Sequence, residues 1–321
     1  MKKLLVIALV ALLVALAVRA WGWDRAFPHY ERLATSSHEL VLEEASTVSI
    51  TQIRYDGDGW DDGLARKEGA VSNLLQRFRK AFNAPVATNA MVMDVSAIAE
   101  AGIARTGPLF LMTGSEGIKM AEAEVKQLRT VLLSGGTLLA TAGSPQWHEA
   151  FIRFAARLFP GTKLRAIADD DPVMQVPYIF RSGAPALWHH GGYRTGGIRH
   201  KGRWVVIYHP GDLDDAWKTG HSGIHRGGAD TAYSFGINVL SYAYQQYYQL
   251  RRKHFRSVTR YNIAGSPTRN QLPRKRDPIK IPSHLNPKAK VFKILEHARW
   301  EEIPDDPEID LEKLDKETNP Y

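Results

Sequence analysis

An α/β sandwich of three layers around a mainly parallel sheet is the fold class the sequence predicts. Three observations predict it. Short unbroken apolar runs suit strands covered on both faces, stretches of helical period lie between them, and polar, glycine-containing loops follow the strands. With 321 residues, 44% hydrophobic and 24% charged, the chain has the composition of globular protein rather than of a fibre or a wholly disordered segment.

In chain order, residues 48–55 (VSITQIRY) alternate like a strand, and 71–82 place apolar residues at helical spacing. A short strand is expected at 86–88. Residues 109–112 (LFLM), between Gly107-Pro108 and Thr113-Gly114, read as a strand buried on both faces. Residues 121–133 form an amphipathic helix closed by Ser134-Gly135-Gly136. Residues 137–142 (TLLATA) give another buried strand, 149–158 a helix stopped near Pro160, and 204–208 (WVVIY) a later strand. Ile237, Leu240, Tyr244 and Tyr248 mark a closing helix over 236–250. The domain is therefore expected at 48–250, long enough to bury a core without disulfides.

The flanks differ. Met1-Lys2-Lys3 precedes the uncharged run 4–18, a basic n-region and an apolar h-region shorter than the roughly 20 residues of a full span. Small-residue cleavage patterns end at Ala17 and Ala20, and Trp21 and Trp23 follow as interfacial residues do. Residues 1–20 are read as a signal peptide or an N-terminal membrane anchor, and 21–47 as a stalk. The two lysines favour a cytoplasmic N-terminus. The chain is expected to be exported to the periplasm, free or held to the inner membrane by residues 4–18. Residues 251–321 read as a disordered, charge-segregated tail with a short helix near 291–302. Fourteen Lys or Arg stand against two acids over 251–299, and nine acids against two Lys over 300–321. The basic half suits an anionic membrane surface or another polyanion, the alternative being a solvated tail or one folded back on its own acidic end. Nucleic acid is a poor partner for an exported chain.

Cysteine is absent, which excludes disulfides, thiolate zinc sites and a cysteine nucleophile. In an open parallel sheet, ligands bind beyond the carboxyl ends of the strands. The loops expected there carry Asp56 and Trp60, Ser115 and Glu116, Ser144 and His148, and His209, Asp212 and Trp217. If their strands are parallel neighbours, these residues share one rim. The run Asp56-Gly57-Asp58-Gly59-Trp60-Asp61-Asp62 lacks the spacing of an EF-hand and reads as a turn capped by its Asp side chains. Trp60 and Trp217 suggest a sugar platform or packing lids. Ser144 stands where a nucleophile elbow would be, near His148, but G-x-S-x-G is missing and a helix N-cap is the plainer role. His189-His190 and the pair His221 and His225 lie among glycines, which argues against a helical metal site. No metal or cofactor is assigned.

Several motifs together resemble a bacterial family, domain of unknown function 4159. They are R-Y-D-G-D-G-W-D-D-G at 54–63, Asn73-Leu74-Leu75, L-F-L-M-T-G at 109–114, S-G-G-T-L-L-A at 134–140, V-I-Y-H-P-G-D-L-D-D-A-W at 206–217 and F-G-I-N-V-L-S-Y-A at 235–243. The resemblance implies a flavodoxin-like sandwich of the class I glutamine amidotransferase-like type, in a family whose members often occur beside MoxR-type AAA+ ATPases and von Willebrand factor A proteins. Amidotransferases of that fold carry their nucleophilic cysteine at the position matching Gly143-Ser144, which has none here. Two functions remain. The first is a non-catalytic accessory or binding protein of the cell envelope, recruiting a protein partner or a glycan. The second is a periplasmic hydrolase using Ser144 with a histidine, His148 or His209, or a metal held by His and Asp residues.

Overall fold

Three apolar runs make the centre of the sheet, because every residue in them is buried. In the computed structural model the described residues are 33–36, 38–43, 46–64, 69–187, 194–218, 226–252 and 258–263. The export segment, residues 264–321, His189, His190, His221 and His225 lie outside them. In chain order the elements are β1 (Glu39–Glu43), β2 (Thr51–Arg54), a 3-10 turn (Asp62–Leu64), α1 (Ala70–Phe82), β3 (Met91–Asp94), α2 (Val95–Ala101), α3 (Ile103–Thr106) and β4 (Leu109–Gly114). They continue as α4 (Glu122–Leu133), β5 (Thr137–Ala142), α5 (Pro145–Leu158), β6 (Arg165–Ala166), α6 (Pro172–Gln175), β7 (Gly196–His200), β8 (Arg203–His209), α7 (Leu213–Trp217), α8 (Arg226–Arg251) and β9 (Val258–Asn262).

Seven of the described strands form one sheet in the order β3-β2-β4-β5-β8-β7-β6. The first five are parallel. β7 and β6 extend the sheet antiparallel. Renumbered among themselves the parallel strands run 2-1-3-4-5, consistent with a flavodoxin-like sandwich. β4, β5 and β8 are buried throughout. Helices α1, α7 and α8 pack together, and α2, α4 and α5 form a second group. The mixed α/β class is as expected. Among the described residues no helix is long and apolar enough to cross a membrane.

The differences from the sequence reading have physical causes. Val86 makes only an isolated bridge with Val48, and the strand beside β2 is β3, further on. β3 is the sheet edge, so Met91 and Val92 are exposed and their apolar pattern carried no burial signal. β7 (GGIRH) lacks alternation. It is defined by its hairpin with β8, whose turn residues Lys201 and Gly202 take φ of 50° and 78°, the geometry of a tight twisted turn.

The domain also passes both limits set by the sequence. Part of the expected stalk is β1 and the start of the expected tail is β9, which pair antiparallel from Glu39↔Asn262 to Glu43↔Val258. Leu40, Leu42 and Ile263 are buried. Gln245 Nε2 donates to the Glu39 carbonyl at 3.3 Å, and the Tyr248 hydroxyl to Ser46 Oγ at 2.8 Å. The ribbon was missed because each strand has only five residues and its partner lies at the other end of the chain. Leu40→Ala should therefore cost about 2–4 kcal/mol, as truncation of a buried leucine does. Urea denaturation checks this, and an unchanged midpoint would return residues 39–43 to a stalk.

Candidate functional site

Parallel pairing carries the carboxyl ends of β2, β4, β5 and β8 to one edge, and hydrogen bonds tie the loops that follow them. Gly143 N–H donates to the Gly114 carbonyl at 3.0 Å, and the Ser144 hydroxyl donates to the Ser115 carbonyl. The predicted rim exists as a set of joined loops.

In this strand order the crevice lies between β2 and β4, where the connections diverge to either side. The chain's own loop closes it. Ser115 N–H donates to the Asp58 carbonyl at 3.0 Å, and Lys119 N–H to that of Asp56 at 2.9 Å. A Cβ on Gly57 would stand 2.4 Å from the Gly117 carbonyl oxygen, and one on Gly59, at φ +75°, would stand 2.6 Å from Ser115 Oγ. Both positions require glycine for that approach. Backbone contacts, not Asp side-chain caps, bring the D-G-D-G-W run onto its neighbour. Asp56, Asp58, Asp61, Asp62, Ser115 and Glu116 are left exposed.

Beyond β8 two carboxyls lie close together, Asp214 buried and Asp212 half-buried. Asp214 Oδ1 accepts the Thr113 hydroxyl at 2.7 Å from the end of β4. Asp212 Oδ1 accepts Asp215 N–H at 3.1 Å and so caps α7. Burial, then the charges of Asp214 and Asp215, push Asp212 up to about 9. Burial also raises Asp214, against the hydrogen bond from Thr113 and the charge of Lys218. Burial and the neighbouring like charge both favour a proton on this pair. Lys218 Nζ bridges Asp62 at 2.6 Å and Asp215 at 2.9 Å, joining the first rim loop to the last.

A family model described as Domain of unknown function (DUF4159) matches residues 49–244. The chain belongs to that family. The limits of the match touch in space, since Ser49 N–H donates to the Tyr244 hydroxyl at 2.7 Å. No curated protein matches the chain.

Within this DUF4159 domain the other predicted residues separate by role. Ser144 Oγ accepts Trp147 N–H at 3.0 Å and caps α5, which begins at Pro145 rather than 149. His148, one turn on, bonds through Nδ1 to the Tyr208 hydroxyl. His209 is buried. Its Nδ1 accepts Gly211 N–H at 3.0 Å, and its Nε2 donates to the Pro185 carbonyl at 2.9 Å. Trp217 is fully buried, its Nε1–H on the Ala232 carbonyl at 3.0 Å. Trp60 is half-buried against the core. The two tryptophans therefore do not form an open platform. A cavity of about 190 Å³ lies beside His209, lined by Ile167, Met174, Ser182, Arg194 and Thr195 among others. Among the described residues no group of three His, Asp or Glu could hold a metal.

Sequence reasoning missed Asp214, Thr113 and Lys218. One signal was available: on a helix Asp214 shares a face with Leu213 and Trp217, an acid on an apolar stripe. The pair predicts a pH dependence. Between 3.8, the ordinary value, and about 9, the folded state holds a proton the unfolded chain has released. Stability should therefore fall as pH rises through that window, on the order of 1 kcal/mol per pH unit. Asp212→Asn, neutral at every pH and still able to cap α7, should flatten the slope in urea titrations at pH 5 to 9. A slope equal to wild type would show that the pair does not share a proton. Ser144→Ala should cost about 1 kcal/mol, the loss of an N-cap, measured in the same way.

Proposed function

We propose that this domain is a non-catalytic accessory protein of the cell envelope that recruits a protein partner through its rim. The observation that carries the reading is a division of labour. The groups suited to chemistry, Ser144, His209, Asp212 and Asp214, are bonded to the loops they hold. Among the described residues of the first two loops, the exposed charged side chains are mostly carboxylates, Asp56, Asp58, Asp61, Asp62 and Glu116, against the cation Lys119, with Asp62 paired to Lys218. A dense anionic rim suits a partner with a basic face, which such charges attract and orient. A glycan partner loses its main support with Trp217 inside the core. The envelope setting rests on Lys2-Lys3 and the apolar run 4–18, and a link to a MoxR-type ATPase and von Willebrand A system is what the family resemblance suggests, with the rim's direct partner another envelope protein. The alternative, a periplasmic hydrolase, draws on the cavity beside His209 but needs Ser144 to give up its cap.

Capture of envelope proteins on the full chain, compared with the variant Asp56→Asn/Asp58→Asn/Glu116→Gln, tests the reading. The variant should keep its melting temperature and lose its partner by about tenfold or more, with wild-type capture weakening as salt rises. Capture indifferent to these charges, or substrate turnover abolished by Ser144→Ala in a folded protein, would overturn it. Alkaline phosphatase and green fluorescent protein fused after Tyr321, behind the whole chain, check the compartment. Phosphatase activity without fluorescence is expected.

A further inference from the structure

The cavity beside His209 lies on the far side of β8 from the β2–β4 crevice, and none of its described lining residues belongs to the acidic loops of the rim. Its walls are tied to one another. Just past β6, Ile167 N–H donates to the Thr195 carbonyl at 2.9 Å, and at the end of β8 His209 Nε2 donates to the Pro185 carbonyl at 2.9 Å. The Met174 carbonyl on α6 accepts Phe180 N–H at 2.7 Å, which closes the turn leading to Ser182. His209 spends both ring nitrogens on backbone groups, so the cavity is built to hold a molecule rather than to attack one. Ile167 and Met174 are buried and make its inner lining apolar. Among the described lining residues Arg194 is the one permanent charge.

Arg194 has an acid beside it. Its Nη2 donates to Asp169 Oδ1 at 2.8 Å, and that oxygen lies 3.7 Å from where a Cβ on Gly183, in the cavity wall, would stand. This is a single contact between two forks. Arg54 and Asp94 instead close both prongs, Nε on Oδ1 at 2.6 Å and Nη2 on Oδ2 at 2.5 Å. The looser pair, with side chains 52% and 35% exposed, leaves the rest of the guanidinium and the second carboxylate oxygen open to a ligand. A cation and an anion side by side over an apolar lining match a molecule with the same three parts. We propose that this cavity binds a small aliphatic α-amino acid, its carboxylate on Arg194, its ammonium group on Asp169 and its side chain against Ile167 and Met174. Charge-assisted hydrogen bonds fix both ends, and a guanidinium suits a carboxylate by shape. The size agrees. An apolar cavity of about 150 Å³ takes benzene, so the space of about 190 Å³ here takes a side chain such as that of leucine. A plain carboxylic acid would leave Asp169 unmatched, and a plain amine would leave Arg194 so.

Saturation-transfer NMR on the full-length protein tests this with three probes. They are L-leucine, isocaproate, which lacks the ammonium group, and isoamylamine, which lacks the carboxylate. Leucine should bind saturably, and each of the other two about tenfold more weakly, the loss of one charge-assisted bond. Arg194→Gln and Asp169→Asn should each weaken leucine by a similar factor and keep the melting temperature, because both side chains reach the surface. With leucine present, amide hydrogen exchange should slow over 182–187 and 194–197 and stay unchanged over 56–62. Absence of saturable leucine binding, isocaproate bound as tightly as leucine, or leucine binding untouched by both substitutions overturns the proposal. The exchange pattern locates the site without any substitution, and slowing over 56–62 in place of those two segments overturns it as well.

Discussion

Burial of β4, β5 and β8 on both faces is the constraint on which the rest of the structure depends. In a parallel strand covered by helices on each side an unpartnered polar group is costly. The Thr137 hydroxyl, at the start of β5, is buried without a partner among the described residues, whereas the threonines at the carboxyl ends of β4 and β5 spend theirs on the loops. Thr141 Oγ1 donates to the Gly211 carbonyl at 2.6 Å and accepts Leu213 N–H at 2.8 Å. Thr113 donates to Asp214. Two threonines at the ends of adjacent strands thus fix the loop that follows a third.

That fixation explains the acid pair. Asp212 turns back to cap α7 and Asp214 turns inward to meet Thr113, so a half-buried carboxyl and a buried one come together. A shared proton is the cheapest resolution, since an unpaired buried carboxylate is far costlier than a neutral acid. The same geometry lets Lys218 reach across to Asp62. The rim is held by interactions that consume its own reactive groups, and its outward face is left to charge.

Much of this was legible in the sequence where local chemistry decides. Residues 137–142 read as a buried strand and are one, because six small or apolar residues between Gly136 and Gly143 allow little else. The helix ending at Phe82 and the convergence of strand-end loops were legible for the same reason. Ser144 as an N-cap followed from its place between a strand and Pro145. Illegible were the elements whose definition is another element: edge strand β3, hairpin strand β7, and the ribbon of β1 with β9.

The sequence by itself determined the alternation of layers, the rim's address at the strand ends and the basic character of residues 251–299, since periodicity, turn residues and charge are local properties. Only the tertiary structure decided which side chains of the rim face water. Trp217 and Trp60 sit in similar loops beside aspartates, yet Trp217 is fully buried and bonded to Ala232. Asp56 and Asp214 look alike in sequence, yet one is exposed and the other is buried, where desolvation raises its carboxyl above the ordinary value. Burial depends on what packs over a residue, and here the covering groups come from Thr113, Ala232 and Gly63, distant in the chain and brought together only by the fold.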